Sequence, residues 1–308
     1  MIKGSRVVYV KVHAGGGNQL FMYAAGRSLA DKLNCDLVLD TSSFVPKTTQ
    51  NEVLIPPCHP REYILHHFQV RFAEMVNLSA NDHGIIDKND SWFRHKIQKI
   101  FGYPKHVHAE RKAPFYDASF ESLGAGTYLA GYYQCDRYFR DNERIRDDMR
   151  FVTPLAGENA LFSSQILETP NSVSVHVRRG DYLRPNVRRR MVNCDMEYYR
   201  RATGYIAERA SGPITCFVFS NDPEFVHRNF KLDHKVVIVD VNDEKNGHFD
   251  MRLQSLCAHN VIANSTFSWW AAWLNANPNK IVCAPNKWYV SPRRGHCADI
   301  YPDGWVRI

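Results

Sequence analysis

Seven consecutive residues, His176-Val177-Arg178-Arg179-Gly180-Asp181-Tyr182, gather two guanidinium groups, an imidazole and a carboxylate into one short stretch. Arginine presents a planar fork of donors that matches phosphate oxygens, so Arg178 and Arg179 point to a phosphate-bearing ligand. The run follows the apolar stretch Ser172 to Val175 and is expected where a strand gives way to a loop. In an open α/β sheet that carboxyl edge is where ligands sit. A second group, Ala263-Asn264-Ser265-Thr266-Phe267-Ser268-Trp269-Trp270, ends an apolar strand and opens a helix. Its backbone N–H groups and the hydroxyls of Ser265, Thr266 and Ser268 serve either an anion or an ordinary helix cap. In Phe217-Val218-Phe219-Ser220-Asn221-Asp222-Pro223, Asp222 either caps the helix opened by Pro223 or accepts N–H bonds from a base such as guanine. Gly15-Gly16-Gly17 lets a backbone approach a ligand closely, with Asn18 and Gln19 as amide contacts or Asn18 as a cap.

Other chemistries lack their spacing. A dinucleotide fingerprint would need glycine where Leu20 stands, and no lysine followed by Ser or Thr completes a phosphate loop. The nearest approach to Asp-x-Asp is Asp195-Met196-Glu197, at an expected helix start where acidic residues are routine. His59, His66, His67, His106 and His108 show no ligand pattern, so no metal site is expected. The eight cysteines form no C-x-x-C pair, and Cys216 and Cys283 sit in apolar runs. They read as buried thiols of a reducing compartment. The net charge of +7 comes from 39 basic and 32 acidic residues. Six arginines between 178 and 190 concentrate that excess; part of the cluster would serve an anionic ligand, and Arg188-Arg189-Arg190 reads as a solvated loop. No RNA-module motif accompanies them, which argues against nucleic acid. No run is long enough to span a bilayer and no signal-peptide core follows Met1. The expectation is a soluble cytoplasmic protein, with any membrane contact peripheral and at the inner face.

The elements that must position these groups are α/β. Val7–Val12 reads as a buried strand, Asn18–Ala30 has helical apolar spacing, and Asp36–Asp40 is a second strand. Residues 42–111 are irregular and rich in Pro and His. Strands at Val173–Val177, Ile214–Ser220, Val236–Val241, Val261–Asn264 and Lys280–Ala284 alternate with helices at Asp195–Ala210, Pro223–Phe230, Phe249–His259 and Phe267–Asn277. That alternation means a parallel sheet covered on both faces. Polar residues bracketed by Thr153-Pro154 and Thr169-Pro170 suggest the break between two halves.

Taken together, the segments Gly17–Phe21, Gly131–Phe139, His176–Tyr182, Phe219–Pro223 and Asn264–Trp270 resemble the α-1,2-fucosyltransferases of glycosyltransferase family 11. Ala14 and Gly16 depart from that family's usual opening, Gly-Gly-Leu-Gly-Asn-Gln, and Asn221 replaces a frequent aspartate. The resemblance implies a two-lobed fold of GT-B type with Rossmann-like sheets, residues 1–155 on the acceptor side and 156–308 holding GDP-fucose. It implies inversion at the anomeric carbon, no required metal and no cofactor beyond the donor substrate. His176, Arg178, Arg179, Asp222, Ser265, Thr266, Phe267 and Ser268 would hold the donor, with Asn18 and Gln19 across the cleft toward a glycan acceptor. Arg178 would take the charge of the leaving group, while Asp181 would orient an arginine or take the acceptor's proton. The rival readings are a transferase of other linkage or donor and a non-catalytic nucleotide-sugar or glycan-binding protein.

Overall fold

The computed structural model describes residues 6–44, 47–48, 54–55, 62–76, 107–110, 115–291 and 298–308, with 47–48, 54–55, 74–76, 181 and 298 given by backbone alone. The chain divides into two compact units, Met1–Asp148 and Met149–Ile308. The boundary expected at 155/156 falls just inside the second of these.

In the first unit, β1 (Val7–Lys11) leads through α1 (Gly16–Leu33) to β2 (Asp36–Asp40). α1 is buried along most of its length, from Gly17 to Ala30, because it lies against the sheet. Beyond an antiparallel pair, β3 (Lys47–Thr48) with β4 (Leu54–Ile55), come β5 (Glu74–Val76), β6 (Val107–Ala109) and β7 (Tyr128–Ala130). The sheet order is β5-β2-β1-β7-β6, all parallel. β5 and β6 fall in the stretch read as irregular. They are three residues each, too short to show a two-residue alternation against the surrounding Pro and His. α2 (Arg144–Asp148) closes the unit, where Asp148 accepts from the Tyr23 hydroxyl at 2.9 Å and from Arg71 Nη2 at 3.0 Å.

The second unit opens with α3 (Gly157–Leu167), a helix inside the stretch read as a break. Only Ile166 of α3 is buried, so its sequence lacks the apolar face that marks a helix. The remaining elements are β8 (Ser172–Val177), α4 (Pro185–Arg188), α5 (Met196–Ala207), β9 (Thr215–Ser220), α6 (Pro223–Asn229), β10 (Lys235–Val239), α7 (Gly247–Leu256), β11 (His259–Val261), α8 (Thr266–Leu274), β12 (Val282–Ala284) and β13 (Val306–Arg307). The sheet runs β10-β9-β8-β11-β12-β13, every pair parallel. Numbered within the unit, that is the 3-2-1-4-5-6 order of a dinucleotide-binding sheet, whose direction reverses between β8 and β11.

Both faces are covered. Val173, Val175 and Val177 pack with Tyr198, Tyr199, Ala202 and Ile206 of α5 on one side. Phe217, Phe219 and Val239 pack with Leu253, Cys257 and Ile166 on the other. Alternation along β8 therefore turns Ser174 and His176 away from the valine face. β11 begins earlier than its apolar run suggests, because His259 and Asn260 are strand residues whose polar groups are satisfied inside. Asn260 Nδ2 donates to Ser174 Oγ at 2.7 Å and to the Gln254 carbonyl at 2.9 Å, and His259 Nδ1 accepts from Ile281 N at 3.0 Å. Cys35, Cys135, Cys216, Cys257 and Cys283 are buried free thiols, with burial pushing Cys216 and Cys283 up to about 12; Cys58 and Cys297 lie outside the described residues. No helix among the described residues is long and apolar enough to cross a membrane.

Candidate functional site

β8 and β11 are the neighbouring strands at which the sheet reverses, and both arginine and serine segments leave from their carboxyl ends. The parallel pairing of Val175 with Val261 sets this register. The two segments that looked separate in the sequence thus meet at the crevice where such a sheet binds its ligand.

His176 is fully inside, 4% exposed, with its ring 5.6 Å from that of Phe267. Its carbonyl accepts from Tyr199 Oη at 3.1 Å. Burial, aided by the Arg178 charge, pushes its pKa down to about 3, so the imidazole is neutral at physiological pH. Its Nδ1 is buried and makes no hydrogen bond among the described residues. An orphaned buried polar atom costs about 1–3 kcal/mol, a cost that a bound ligand would relieve.

The two arginines part company. Arg179 is held by one element: its backbone N–H donates to Asn221 Oδ1 at 2.9 Å, its Nε to Asp222 Oδ2 at 3.2 Å, and its Cζ lies 3.3 Å from the Phe225 ring centroid. The structure shows Asp222 in its helix-capping role, with Oδ1 accepting from Phe225 N at 3.1 Å while Oδ2 takes Arg179. Arg178 instead lies half-buried with its Cζ 5.5 Å from the Tyr182 ring. Gly180 makes the turn that follows them. Its φ is +25°, and a Cβ there would run into the Asn221 amide. Tyr182 Oη then donates to the Asn264 carbonyl at 2.9 Å, tying the loop after β8 to the loop after β11. Asp181 belongs to the 3-10 turn Gly180–Leu183, and its side chain lies outside the described residues.

Asn264 is 1% exposed and donates from Nδ2 to the Val192 carbonyl at 2.6 Å and the Trp288 carbonyl at 3.0 Å. Ser265 is the N-cap of α8, accepting from Phe267 N at 3.4 Å. Ser268 is buried, and its hydroxyl donates back to the Ser265 carbonyl at 3.3 Å. Thr266 and Phe267 are half-buried. The N-terminus of α8 is the positive end of a nine-residue helix, whose first-turn N–H groups have no carbonyl partner within the helix.

Sequence reasoning missed Asp250, in the first turn of α7. It accepts from Asn242 Nδ2 at 2.7 Å, and burial raises its pKa from an ordinary 3.8 to about 7. No spacing marks it, because an acidic residue in a first helical turn is commonplace. Asp195 is the N-cap of α5, accepting from Tyr198 N at 2.9 Å, and Glu197 lies in that helix's first turn. Among the described residues no group of three or more His, Cys, Asp or Glu could hold a metal ion.

In the first unit, Gln19 is fully buried. Its Nε2 donates to the Ala14 and Glu62 carbonyls at 3.0 and 2.8 Å, and its Oε1 accepts from Ile64 N at 2.9 Å, so it braces the loop from inside. Asn18 is half-buried and accepts from Gln134 Nε2 at 2.8 Å.

Comparison with known proteins gives three findings. The model of the family described as "Glycosyl transferase family 11" matches residues 33–308. Two Escherichia coli proteins align over 98% of this chain: the O-antigen biosynthesis glycosyltransferase WbnK, 28% identical over its full length, and an alpha-1,2-colitosyltransferase, 29% identical over 99% of its length. A crystal structure of POFUT1 in complex with GDP superposes with a TM-score of 0.50 at 11% identity, covering 92% of this chain and 99% of that one. That likeness is one of fold, the GT-B type with Rossmann-like parallel sheets.

Proposed function

Because this chain belongs to glycosyltransferase family 11, we propose that it moves fucose from GDP-fucose to the 2-hydroxyl of a galactoside, with inversion and without a metal. One observation carries the reading: the arginine loop and the α8 N-terminus converge at the carboxyl ends of β8 and β11, where the sheet reverses. A diphosphate seated there would meet Arg178, and the helix N-terminus would add N–H donors. The orphaned Nδ1 of His176 fits a neutral partner for the nucleotide.

In the reaction the acceptor oxygen forms a bond to the anomeric carbon as the bond from that carbon to the β-phosphate oxygen breaks. GDP departs with the electron pair, and negative charge grows on its β-phosphate. Arg178 is the residue assigned to that charge; Arg179, anchored by Asn221, Asp222 and Phe225, holds the loop in place. The hydroxyl proton passes to Asp181 or to solvent. Asp222 contributes by fixing Arg179.

A second reading concerns the donor. The full-length likeness to an alpha-1,2-colitosyltransferase favours another GDP-sugar on the same site. Incubation with a panel of GDP-sugars and galactosides, followed by linkage analysis of the product, separates the two. GDP binding without transfer or donor hydrolysis by any GDP-sugar would refute both.

A further inference from the structure

The segment that joins β8 to α5 displays charge that the fold does not use. Between Tyr182 and Cys194 the chain carries four arginines, Arg184, Arg188, Arg189 and Arg190, and no acidic residue. All four are exposed, and among the described residues none of their side chains has a hydrogen bond, ion pair or ring contact. Arg188 N donates to the Arg184 carbonyl at 2.9 Å, so these two stand one helical turn apart on the same face. Like charges gathered so closely repel one another, a cost that an anionic surface relieves.

This segment is fastened at both ends by one buried residue. The Asn264 carbonyl accepts from Tyr182 Oη at 2.9 Å, and Asn264 Nδ2 donates to the Val192 carbonyl at 2.6 Å. Met191 forms an antiparallel bridge with Tyr289, and Val290 N donates to the Arg190 carbonyl at 2.9 Å. The arginines therefore stand on a framework held at the carboxyl edge of the second unit's sheet. Beside them the fold leaves two aliphatic side chains in solvent. Leu183, 42% exposed, immediately precedes Arg184, and Val290, 51% exposed, lies against Arg190. Water suits the arginines, but it does not suit the two aliphatic groups set among them.

We infer that this segment docks the protein on an anionic lipid bilayer, with Arg184, Arg188, Arg189 and Arg190 at the phosphate headgroups and Leu183 and Val290 at the acyl boundary. The inference is independent of the chemistry assigned to Arg178 and needs only the second unit. Arginine offers forked donors to phosphate oxygens, and its stem can lie along apolar surroundings while its head stays in water. Basic residues interspersed with exposed aliphatic ones are the composition of surfaces that lie in the headgroup layer. A single-stranded nucleic acid would instead call for open aromatic rings on which bases stack. The rings of this segment are covered: Tyr182 and Tyr289 are half-buried and Trp288 is buried. Near an anionic surface each basic side chain strengthens binding about fivefold.

The test measures cosedimentation of the full chain with vesicles of phosphatidylcholine alone and of phosphatidylcholine mixed with phosphatidylglycerol, with GDP affinity read separately by calorimetry. The parent should bind the mixed vesicles and not phosphatidylcholine alone, and should be released by about 1 M salt, which screens charge beyond roughly 3 Å. Replacing all three of Arg188, Arg189 and Arg190 by Gln should weaken vesicle binding about a hundredfold, while replacing them by Lys should leave it within about threefold of the parent. Leu183→Ser combined with Val290→Ser keeps every charge and should weaken binding at least about tenfold. Absence of binding to the mixed vesicles overturns the inference, as does a triple Gln variant that binds like the parent. A Ser pair that binds like the parent would reduce the surface to a generic polyanion contact and overturn it. Loss of binding in the triple Lys variant would indicate a geometry-specific phosphate site instead of a bilayer surface. Tighter binding to single-stranded RNA or to polyglutamate than to the mixed vesicles would replace the bilayer by that partner. A fall in GDP affinity in the triple Gln variant would assign the cluster to the nucleotide and likewise overturn the inference.

Discussion

Arg178 and Arg179 are adjacent in sequence, yet their surroundings predict opposite outcomes on truncation. Arg179→Ala removes a partly exposed ion pair with Asp222, at 3.2 Å with both side chains under a third exposed, and the contact over Phe225. An ion pair screened to that degree is worth about 0.2–1 kcal/mol, and the cation over the ring about 0.5–1 kcal/mol. The sum, about 1–2 kcal/mol, lowers the melting temperature of a unit of this size by about 2–8 °C. Turnover should fall only modestly, through looser placement of the loop. Arg178→Ala removes the charge assigned to the leaving group. Loss of one preorganised donor costs about 100- to 1,000-fold in kcat, while the ring contact to Tyr182 lost with it is worth about 0.5–1 kcal/mol of stability. Scanning calorimetry and initial rates on both purified variants read the two quantities. Near-parental turnover by Arg178→Ala refutes its assignment. A large rate loss in Arg179→Ala with intact melting would show that the contacts to Asp222 and Phe225 were misjudged as its main role.

Further predictions follow from the same geometry. Transfer should survive excess EDTA; complete loss restored by manganese or magnesium would overturn the metal-free reading. Gly180→Ala should cost about 1–3 kcal/mol in strain and lower GDP affinity, because φ is +25° and the new Cβ meets the Asn221 amide. Adding Asn221→Ala should recover part of that loss, and no recovery would refute the clash. Asp250 keeps its proton to about pH 7 when folded but loses it near 3.8 when unfolded. Across that window the folded state binds more protons, so its contribution falls as pH rises. At about 1.4 kcal/mol per tenfold change in proton affinity, the penalty above pH 7 is of the order of a few kcal/mol. Asp250→Asn keeps an acceptor for Asn242, so urea unfolding should show it more stable than the parent at pH 8 and level with it at pH 4. Equal stability at pH 8 would refute the burial cost.

Much of the second unit was legible because its strands are buried on both faces and read as continuous apolar runs, Val173–Val177 and Ile214–Ser220 above all. β11 was read late because its first two residues, His259 and Asn260, are polar and are satisfied only by Ser174, Gln254 and Ile281, which are distant in sequence. α3 was missed because it buries one residue, and β13 because it is two residues long.

The arginines, the serines and the glycine loop announced their chemistry through residue type alone, since guanidinium groups, hydroxyls and a missing side chain keep those properties in any fold. Which partners Arg179 takes was not readable. Arg179 finds Asp222 and Phe225 only because β8 pairs with β9, which brings residues over forty positions apart within bonding distance. For the same reason, Gln19 was read as an amide contact until the fold enclosed it between Ala14, Glu62 and Ile64. Asp250 titrates near neutrality only because packing strips its water. The sequence alone determined which groups are available. Partnership and burial depend on strand order, so the tertiary structure decided which of those groups are already engaged and which remain to meet a ligand.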